Sequence, residues 1–178
     1  LSWEPVLLTE VMLECQGMIE PQAQQRGIHM TYPRSDVPYY VLPDRTRVKQ
    51  VLINLLSNAI KYNREQGTVE VKCTESTPDR IRVSVKDTGA GLNPEHLAQL
   101  FQAFNRLGQE AGGEEGTGIG LVVAKQLVEL MGGVIGAEST VGAGSVFWFE
   151  LNSVAEPKLY LEEDEGAALP RPHVPQGE

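Results

Sequence analysis

The stretch IRVSVKDTGAGL, residues 81–92, joins a strand pattern to a glycine motif. Ile81, Val83 and Val85 alternate with polar residues, which predicts a β-strand with one buried face. Asp87 continues that series, so its side chain is expected to point toward the buried face. A buried carboxylate is costly without hydrogen-bond donors. Three kinds of donor remain open: an internal arginine, nearby backbone amides, or a ligand that the following glycines allow the backbone to approach closely.

A second glycine repeat, GTGIGL at 116–121, opens a helix predicted to run from about Thr117 to Met131. Free N–H groups and the helix dipole at such a start suit a phosphate, although packing or capping glycines are the alternative. The GxxxxGK[ST] phosphate loop is absent because no lysine follows a glycine. The GxGxxG pattern also fails, since Leu121 and Val123 occupy the third-glycine positions. The preceding polar segment 105–117 is predicted to be a lid or an exposed loop.

The rest of the chain predicts helices and antiparallel hairpins. Apolar spacing favours helices from about Thr9 to Arg26, with a kink at Pro21, and from the Asp44 cap to about Asn63. Strands are predicted at 28–32, 39–42 and 69–73 and on both sides of the turn at 142–144, and a helix start at Asn93-Pro94. This order without regular βαβ alternation predicts an α+β sandwich. We expect one folded domain at 1–152 and an acidic, proline-containing tail or linker at 153–178.

Composition limits the possible functions. The chain has 178 residues, 41% of them hydrophobic, and a formal net charge of −9, so we expect no nucleic-acid surface and no direct membrane contact. No apolar run is long enough to span a bilayer. Cys15 and Cys73 are too few for a disulfide framework and are predicted to be free thiols lining the core, as in a reducing compartment. Because the sequence starts at Leu1 rather than Met and shows no signal-peptide pattern, we interpret it as a piece of a longer protein.

The second predicted helix carries a polar stripe. Asn54, Asn58 and Lys61 lie at i, i+4 and i+7, roughly 130° from the centre of the apolar face. A solvated helix face explains this spacing. However, asparagine is a poor helix former, and amide oxygens are suitable ligands for Mg²⁺. A lysine one turn later would suit a phosphate.

Four segments in this order resemble the motifs of one protein family. NLLSNAIKYN at 54–63 resembles the N box of sensor histidine kinases, DTGAGL at 87–92 the G1 box, FQAFNR at 101–106 the F box and GTGIGL at 116–121 the G2 box. The match extends from Leu1 to about Asn152. The chain therefore resembles the catalytic and ATP-binding domain of these kinases, within the GHKL ATPase superfamily. The resemblance implies a two-layer α+β sandwich, with a mixed five-stranded sheet covered on one face by three helices.

The resemblance also implies a role for each matched residue. Asp87 would accept a hydrogen bond from the exocyclic amine of adenine, because an ionised carboxylate only accepts, whereas guanine presents a carbonyl there. Asn58 would bind Mg²⁺, and Asn58, Lys61 and Arg106 would be the catalytic residues, with Arg106 able to reach the γ-phosphate unless it is a solvated surface arginine. Phe101 and Phe104 would seat the lid or serve as ordinary core aromatics. The full set of implied ATP-binding residues is Asn54, Asn58, Lys61, Tyr62, Asp87, Gly89, Gly91, Leu92, Phe104, Gly116, Thr117, Gly118, Ile119, Gly120, Leu121 and Ser145.

A kinase of this family needs an acceptor histidine on a dimerisation domain. His29, His96 and His173 do not lie in such a motif, so we interpret them as ordinary surface or strand histidines and expect the acceptor upstream of Leu1. The resemblance implies ATP and Mg²⁺ as cofactors, and the dimerisation domain and a response regulator receiver domain as partners. It further implies a monomeric isolated domain, a homodimeric parent and a cytoplasmic location. Two alternatives stay open: another ATPase of the superfamily, and a degenerate nucleotide-responsive binding module.

Overall fold

A computed structural model describes residues 4–33, 38–42, 44–100 and 117–154, in which helices cover one face of a mixed sheet. In chain order the elements are β1 (Val6–Leu7), α1 (Leu8–Gln25), β2 (His29–Thr31), β3 (Tyr40–Val41), α2 (Arg45–Lys61), β4 (Thr68–Thr77), β5 (Arg80–Asp87), α3 (Pro94–Gln99), α4 (Thr117–Leu130), β6 (Val134–Thr140) and β7 (Gly144–Val154). Among these described residues, no helix is long and apolar enough to cross a membrane.

Five strands form the main part of the sheet, in the order β2-β4-β5-β7-β6. The pairs β4–β5, β5–β7 and β6–β7 are antiparallel, whereas β2 runs parallel to β4. This is the mixed five-stranded sheet that the family resemblance implied. Two further strands of two residues each extend the sheet: β3 pairs with the last two residues of β7, and β1 pairs with β3.

The core lies between this sheet and the three long helices α1, α2 and α4. Alternating residues of the strands point inward and meet the apolar stripes of the helices. Val83 and Val85 on β5 and Phe149 on β7 are no more than 1% exposed. The two cysteines are free, Cys15 buried and Cys73 half-buried, as predicted. Burial raises the pKa of the Cys15 thiol to about 11 and that of Cys73 to about 12.

The opposite face of the sheet is covered only by its own side chains in the part of the chain that the structure describes. The Arg82 guanidinium lies 3.8 Å from the centre of the Trp148 ring. The same guanidinium forms an ion pair of 2.7 Å with Glu150. Trp148 packs over Gly136 on the neighbouring strand, where a Cβ would collide with the indole. Stacking and ion pairing therefore give this solvent-facing side a fixed arrangement.

Local signals predicted most elements to within a few residues. Helix α2 begins after Asp44, whose carboxylate accepts hydrogen bonds from the amides of Thr46 and Arg47, and α3 begins after the Asn93 cap. Helix α1 continues through Pro21 and ends before Gly27, whose φ is +68°. No sequence pattern predicts β1, because a strand of two residues has no measurable period.

The cap of α2 gives a test of stability. Asp44→Ala removes the acceptor for two amides at the helix start, so we expect the free energy of unfolding to fall by about 1 kcal/mol. Asp44→Asn keeps a capping oxygen and removes the negative charge that pairs with Arg47, 2.9 Å away, so its loss of stability should be smaller. Urea denaturation of the three proteins makes the comparison. Equal losses in both variants would show that the charge, and not the cap, is what stabilises α2.

Candidate functional site

Asp87, the last residue of β5, lies on the inward face of the sheet, as its phase predicted, and is only 7% exposed. Its Oδ1 accepts hydrogen bonds from the backbone amides of Gly89 at 2.9 Å and Ser145 at 3.2 Å. Among the described residues, none donates a hydrogen bond to the other oxygen, Oδ2. Of the three kinds of donor considered from the sequence, backbone amides occupy one oxygen, and the second oxygen remains available to a ligand.

The segment that follows Asp87 is held against the turn between β6 and β7. Gly91 has a φ of +79°, and a Cβ there would collide with the carbonyl of Thr140. The carbonyl of Ala90 accepts a hydrogen bond from Gly142 at 2.6 Å. A left-handed backbone in such close contact requires glycine. These contacts fix residues 88–92, the glycine segment, beside the Asp87 carboxylate.

Burial dominates the electrostatics of this carboxylate. It raises the pKa of Asp87 above its ordinary value, and the hydrogen bonds from the Gly89 and Ser145 amides offset part of that rise. A hydrogen-bond donor on Oδ2 would favour the ionised form further. The site therefore suits a neutral ligand group that carries an N–H.

A second group of predicted residues lies between α2 and α4. The Asn54 side-chain amide donates to the carbonyl of Gly120 at 3.1 Å, so Asn54 is half-buried rather than on a solvated face. A Cβ on Gly120 would lie 3.9 Å from Asn58 Nδ2, so the first turn of α4 covers both asparagines. Asn54 thus connects the two helices, a structural role that the sequence analysis did not consider.

Asn58 is the polar group in this region that lacks a partner. Its Nδ2 is buried and has no hydrogen-bond partner among the residues described. Buried amides are almost always satisfied. An amide offers an oxygen that can coordinate a hard cation and a nitrogen that can donate to an anion. The residue therefore fits a ligand that combines Mg²⁺ with phosphate.

The end of α2 is fixed from the neighbouring helix. Arg26, the C-cap residue of α1, donates hydrogen bonds to the carbonyls of Ile60, Lys61 and Asn63. A cation at a helix C-terminus satisfies orphan carbonyls and opposes the negative end of the helix dipole. The sequence analysis did not identify Arg26, because its partners lie 34 to 37 residues away.

The two groups meet where Gly89 contacts the end of α2. A Cβ on Gly89 would lie 2.5 Å from the carbonyl oxygen of Tyr62, so only glycine allows this approach. Lys61 is exposed, with its Nζ 5.4 Å from the centre of the Tyr62 ring. At the other side, the Leu121 side chain is 1% exposed and belongs to the core. The predicted residues at 54–62, 87–92, 120–121 and 145 thus lie along one connected region.

Several predicted residues fall outside the described part of the chain. Phe101, Phe104, Arg106 and Gly116 lie in the range 101–116, which the structure does not describe. Helix α4 begins at Thr117 and includes Gly118 and Ile119, but the side chains of its first turn are likewise outside the description. Of the histidines, His29 and His96 are exposed, and His173 is not described.

Comparison with known proteins identifies the family. Residues 43–155 match the family described as histidine kinase-, DNA gyrase B-, and HSP90-like ATPase. The chain belongs to this ATPase family. Within the family its relatives are sensor histidine kinases, which confirms the resemblance drawn from the four sequence motifs. The ATPase domain is 38% identical over 177 residues to the sensor histidine kinase GacS of Pseudomonas protegens, covering 94% of this chain and 18% of GacS.

Solved structures confirm the fold of the ATPase domain. The catalytic domain of the histidine kinase ThkA is 28% identical, with a TM-score of 0.73 over 88% of this chain and 100% of that one. A structure of ThkA with the response regulator TrrA gives 28% identity and a TM-score of 0.69, covering 85% of this chain and 42% of that one. Full-length ShkA in complex with AMPPNP gives 32% identity and a TM-score of 0.75, covering 88% and 33%. This is a histidine-kinase-type, nucleotide-binding α+β domain.

The raised pKa of Asp87 predicts how the stability of the ATPase domain changes with pH. The folded carboxyl holds its proton to a higher pH than the unfolded one, whose pKa is about 3.9. The folded state is therefore favoured below the unfolded pKa, and this contribution is lost as the pH rises through the folded pKa. Asp87→Asn cannot titrate at this position. Relative to that variant, the wild type should therefore be less stable at pH 7 than at pH 4.

Denaturation of both proteins at the two pH values measures this difference, and the contributions of the other carboxyls cancel between them. A difference in unfolding free energy that stays constant, or that moves in favour of the wild type as the pH rises, would contradict a raised pKa.

Proposed function

We propose that this chain is the ATP-binding catalytic domain of a sensor histidine kinase. It would bind Mg-ATP and donate the γ-phosphate to a histidine on a dimerisation domain, for transfer to a response regulator. The observation that carries the proposal is the Asp87 carboxylate, whose Oδ1 accepts hydrogen bonds from two backbone amides and whose Oδ2 is available to a ligand. The chain that carries this carboxylate belongs to a family of ATPases. The chain spans less than a fifth of GacS, 18% of its length, so the activity of the whole protein is part of the proposal.

The base would bind at the edge of the sheet. Asp87 Oδ2 accepts from the exocyclic amine of adenine, and a carboxylate would repel the carbonyl that guanine presents at the same position. The lack of a Cβ at Gly89 and at Gly91 lets this segment lie against the carbonyls of Tyr62 and Thr140 next to Asp87. Ser145 lies beside Asp87 on β7. Charge-assisted hydrogen bonds of this kind contribute about 1.5–3 kcal/mol.

The triphosphate would lie between α2 and the start of α4. The unpartnered Asn58 amide offers its oxygen to Mg²⁺ and its nitrogen to a phosphate oxygen, and Lys61 and Arg106 supply positive charge. When bound, Mg²⁺ neutralises charge on the transferring phosphate. The chain's own residues orient the nucleotide, and Asn54 and Arg26 hold α2 in the position this requires. Much of the rate in phosphoryl transfer comes from such positioning.

The acceptor and the partners lie outside the described chain. We propose that residues 1–152 form the folded domain, which β7 extends to Val154, and that the chain after this strand forms a linker or tail. The dimerisation domain of the parent protein would carry the acceptor histidine. A receiver domain would be the next partner, as the structure of ThkA with the response regulator TrrA suggests for a similar domain. The isolated domain would be a monomer. The parent protein would be a homodimer that exposes this domain to the cytoplasm.

The metal assignment has a direct test by titration calorimetry. Asn58→Ala should weaken the binding of ATP in excess Mg²⁺ by about tenfold, because a metal ligand and a phosphate donor are both lost. In EDTA the same substitution should have a smaller effect, because only the phosphate contact is affected. Asn152→Ala, on the open face of the sheet at the far end of β7, is the matched control. Equal losses with and without metal would contradict the assignment of Mg²⁺ to Asn58.

Phosphate transfer tests the kinase proposal itself. The chain incubated alone with γ-³²P-ATP should bind nucleotide and remain unlabelled, because none of His29, His96 and His173 lies in a sequence that resembles the acceptor motif. Adding the dimerisation domain of the parent protein should give acid-labile label on a histidine of that domain.

Acid-labile label on the chain by itself would show that one of its own histidines is an acceptor. Steady phosphate release without any acceptor would favour an ATPase of another branch of the family. Nucleotide binding without label on a folded acceptor domain would favour a non-catalytic, nucleotide-responsive module.

A further inference from the structure

A row of polar side chains crosses three strands at the edge of the sheet beside the glycine segment. Asp87 on β5 lies opposite Ser145 on β7, and Ser145 lies opposite Ser139 on β6. Directly opposed residues of a sheet point to the same face, so all three side chains share the inward face with Asp87. Asp87 and Ser145 match motif positions of the family, whereas nothing in the sequence pattern singled out Ser139.

The Ser139 hydroxyl makes three polar contacts at this edge of the sheet. Its Oγ accepts a hydrogen bond from the Leu92 amide at 2.7 Å, which ties the end of the glycine segment to β6. The same oxygen lies 2.7 Å from Ser145 Oγ and 3.2 Å from the carbonyl oxygen of Gly144. The Ser139 side chain thus joins the Leu92 backbone to the Ser145 hydroxyl at the proposed adenine site.

The hydroxyl of Ser139 has a single proton to share between two acceptors. Hydroxyl hydrogen bonds are strongest near 2.7–2.8 Å, so Ser145 Oγ is the better acceptor than the Gly144 carbonyl. If Ser139 donates to Ser145, the proton of Ser145 is left for another partner. If Ser139 donated to Gly144 instead, the Ser145 hydroxyl would donate its proton to Ser139 Oγ and could only accept a hydrogen bond from a ligand.

We propose that Ser139 is a positioning residue for base recognition: it donates to Ser145 Oγ, so that the Ser145 hydroxyl is a donor toward the base, and it holds the Leu92 amide. This inference rests on the proposed ATP-binding function. The two ring nitrogens that flank the amine-bearing side of adenine, N1 and N7, are both acceptors. On either edge, adenine therefore presents its amine as a donor next to a ring nitrogen as an acceptor. The Asp87 carboxylate can accept from the amine while the Ser145 hydroxyl donates to the ring nitrogen, directly or through one water.

The test combines substitutions with altered bases. Binding of Mg-ADP and of its 1-deaza and 7-deaza analogues, in which one ring nitrogen is replaced by CH, is measured calorimetrically for the wild type, Ser139→Ala and Ser139→Thr. We expect Ser139→Ala to weaken Mg-ADP about three- to tenfold, as for one neutral hydrogen bond, and Ser139→Thr to restore affinity to within about twofold. Ser84→Ala, on the open face of β5, should bind as the wild type does.

The decisive result is the coupling between the serine and the base. For the analogue that lacks the contacted nitrogen, Ser139→Ala should have the same affinity as the wild type. For the other analogue, Ser139→Ala should lose as much affinity as it loses for Mg-ADP. Equal losses with Mg-ADP and both analogues would mean that Ser139 acts on the fold in general, and this would overturn the proposal, as would full affinity of Ser139→Ala for Mg-ADP. Should Ser139→Ala not fold, Ser139→Cys takes its place, since a thiol is a much weaker donor in nearly the same volume.

Two controls separate this inference from the proposed function. If the wild type binds Mg-ADP and Asp87→Asn weakens it, yet Ser139 shows no coupling to the base, only the role of Ser139 is overturned. If the wild type does not bind Mg-ADP, both proposals are overturned. Amide hydrogen exchange at Leu92 provides a readout in the absence of nucleotide, because the loss of its acceptor in Ser139→Ala should speed exchange there relative to Ser139→Thr.

Discussion

The hydrogen bonds from the Gly89 and Ser145 amides to one oxygen of the Asp87 carboxylate are the interaction on which the site depends. They join the end of β5 to the start of β7 and to the glycine segment at a single buried atom. Without them, a carboxylate that is 7% exposed would have no compensation for its lost hydration. The contacts of Ala90, Gly91 and Leu92 with the β6–β7 hairpin then fix the orientation in which the second oxygen is presented.

The proposed phosphate side of the site is built differently, by contacts between helices. Asn54 bonds to the first turn of α4, and Arg26 binds the last carbonyls of α2. Asn54 holds α2 near its middle and Arg26 holds its C-terminal end, so the helix is fixed on both sides of Asn58. The proposed base site at the sheet edge and the proposed phosphate site between the helices are thus both held by contacts within the domain, which is the preorganisation that phosphoryl transfer requires.

The sequence predicted what depends on neighbours along the chain. The inward phase of Asp87, the caps Asp44 and Asn93 and the apolar stripe of α2 all follow from local periodicity and capping chemistry. Long-range partners could not be predicted in this way. Arg26 caps a helix 34 or more residues away. Asn54 sits on a polar stripe that predicts a solvated face until α4 covers it, and Ser139 acquires its role only when β6, β7 and the glycine segment meet. The four family motifs predicted where the site lies, but they did not indicate which of its residues contact one another.

The distances along the chain between the contacting residues also determine when the site exists during folding. Asp87 and Ser145 are 58 residues apart, and Asn54 and Gly120 are 66 apart, so closing these loops has a substantial entropic cost. A partly folded chain that lacks either closure has no complete site. A nucleotide that binds at the proposed site would require the finished domain, and at a hundred times its dissociation constant it would add about 2.7 kcal/mol to the stability of the whole fold. Nucleotide binding at this site would therefore favour fully folded molecules over partly folded ones.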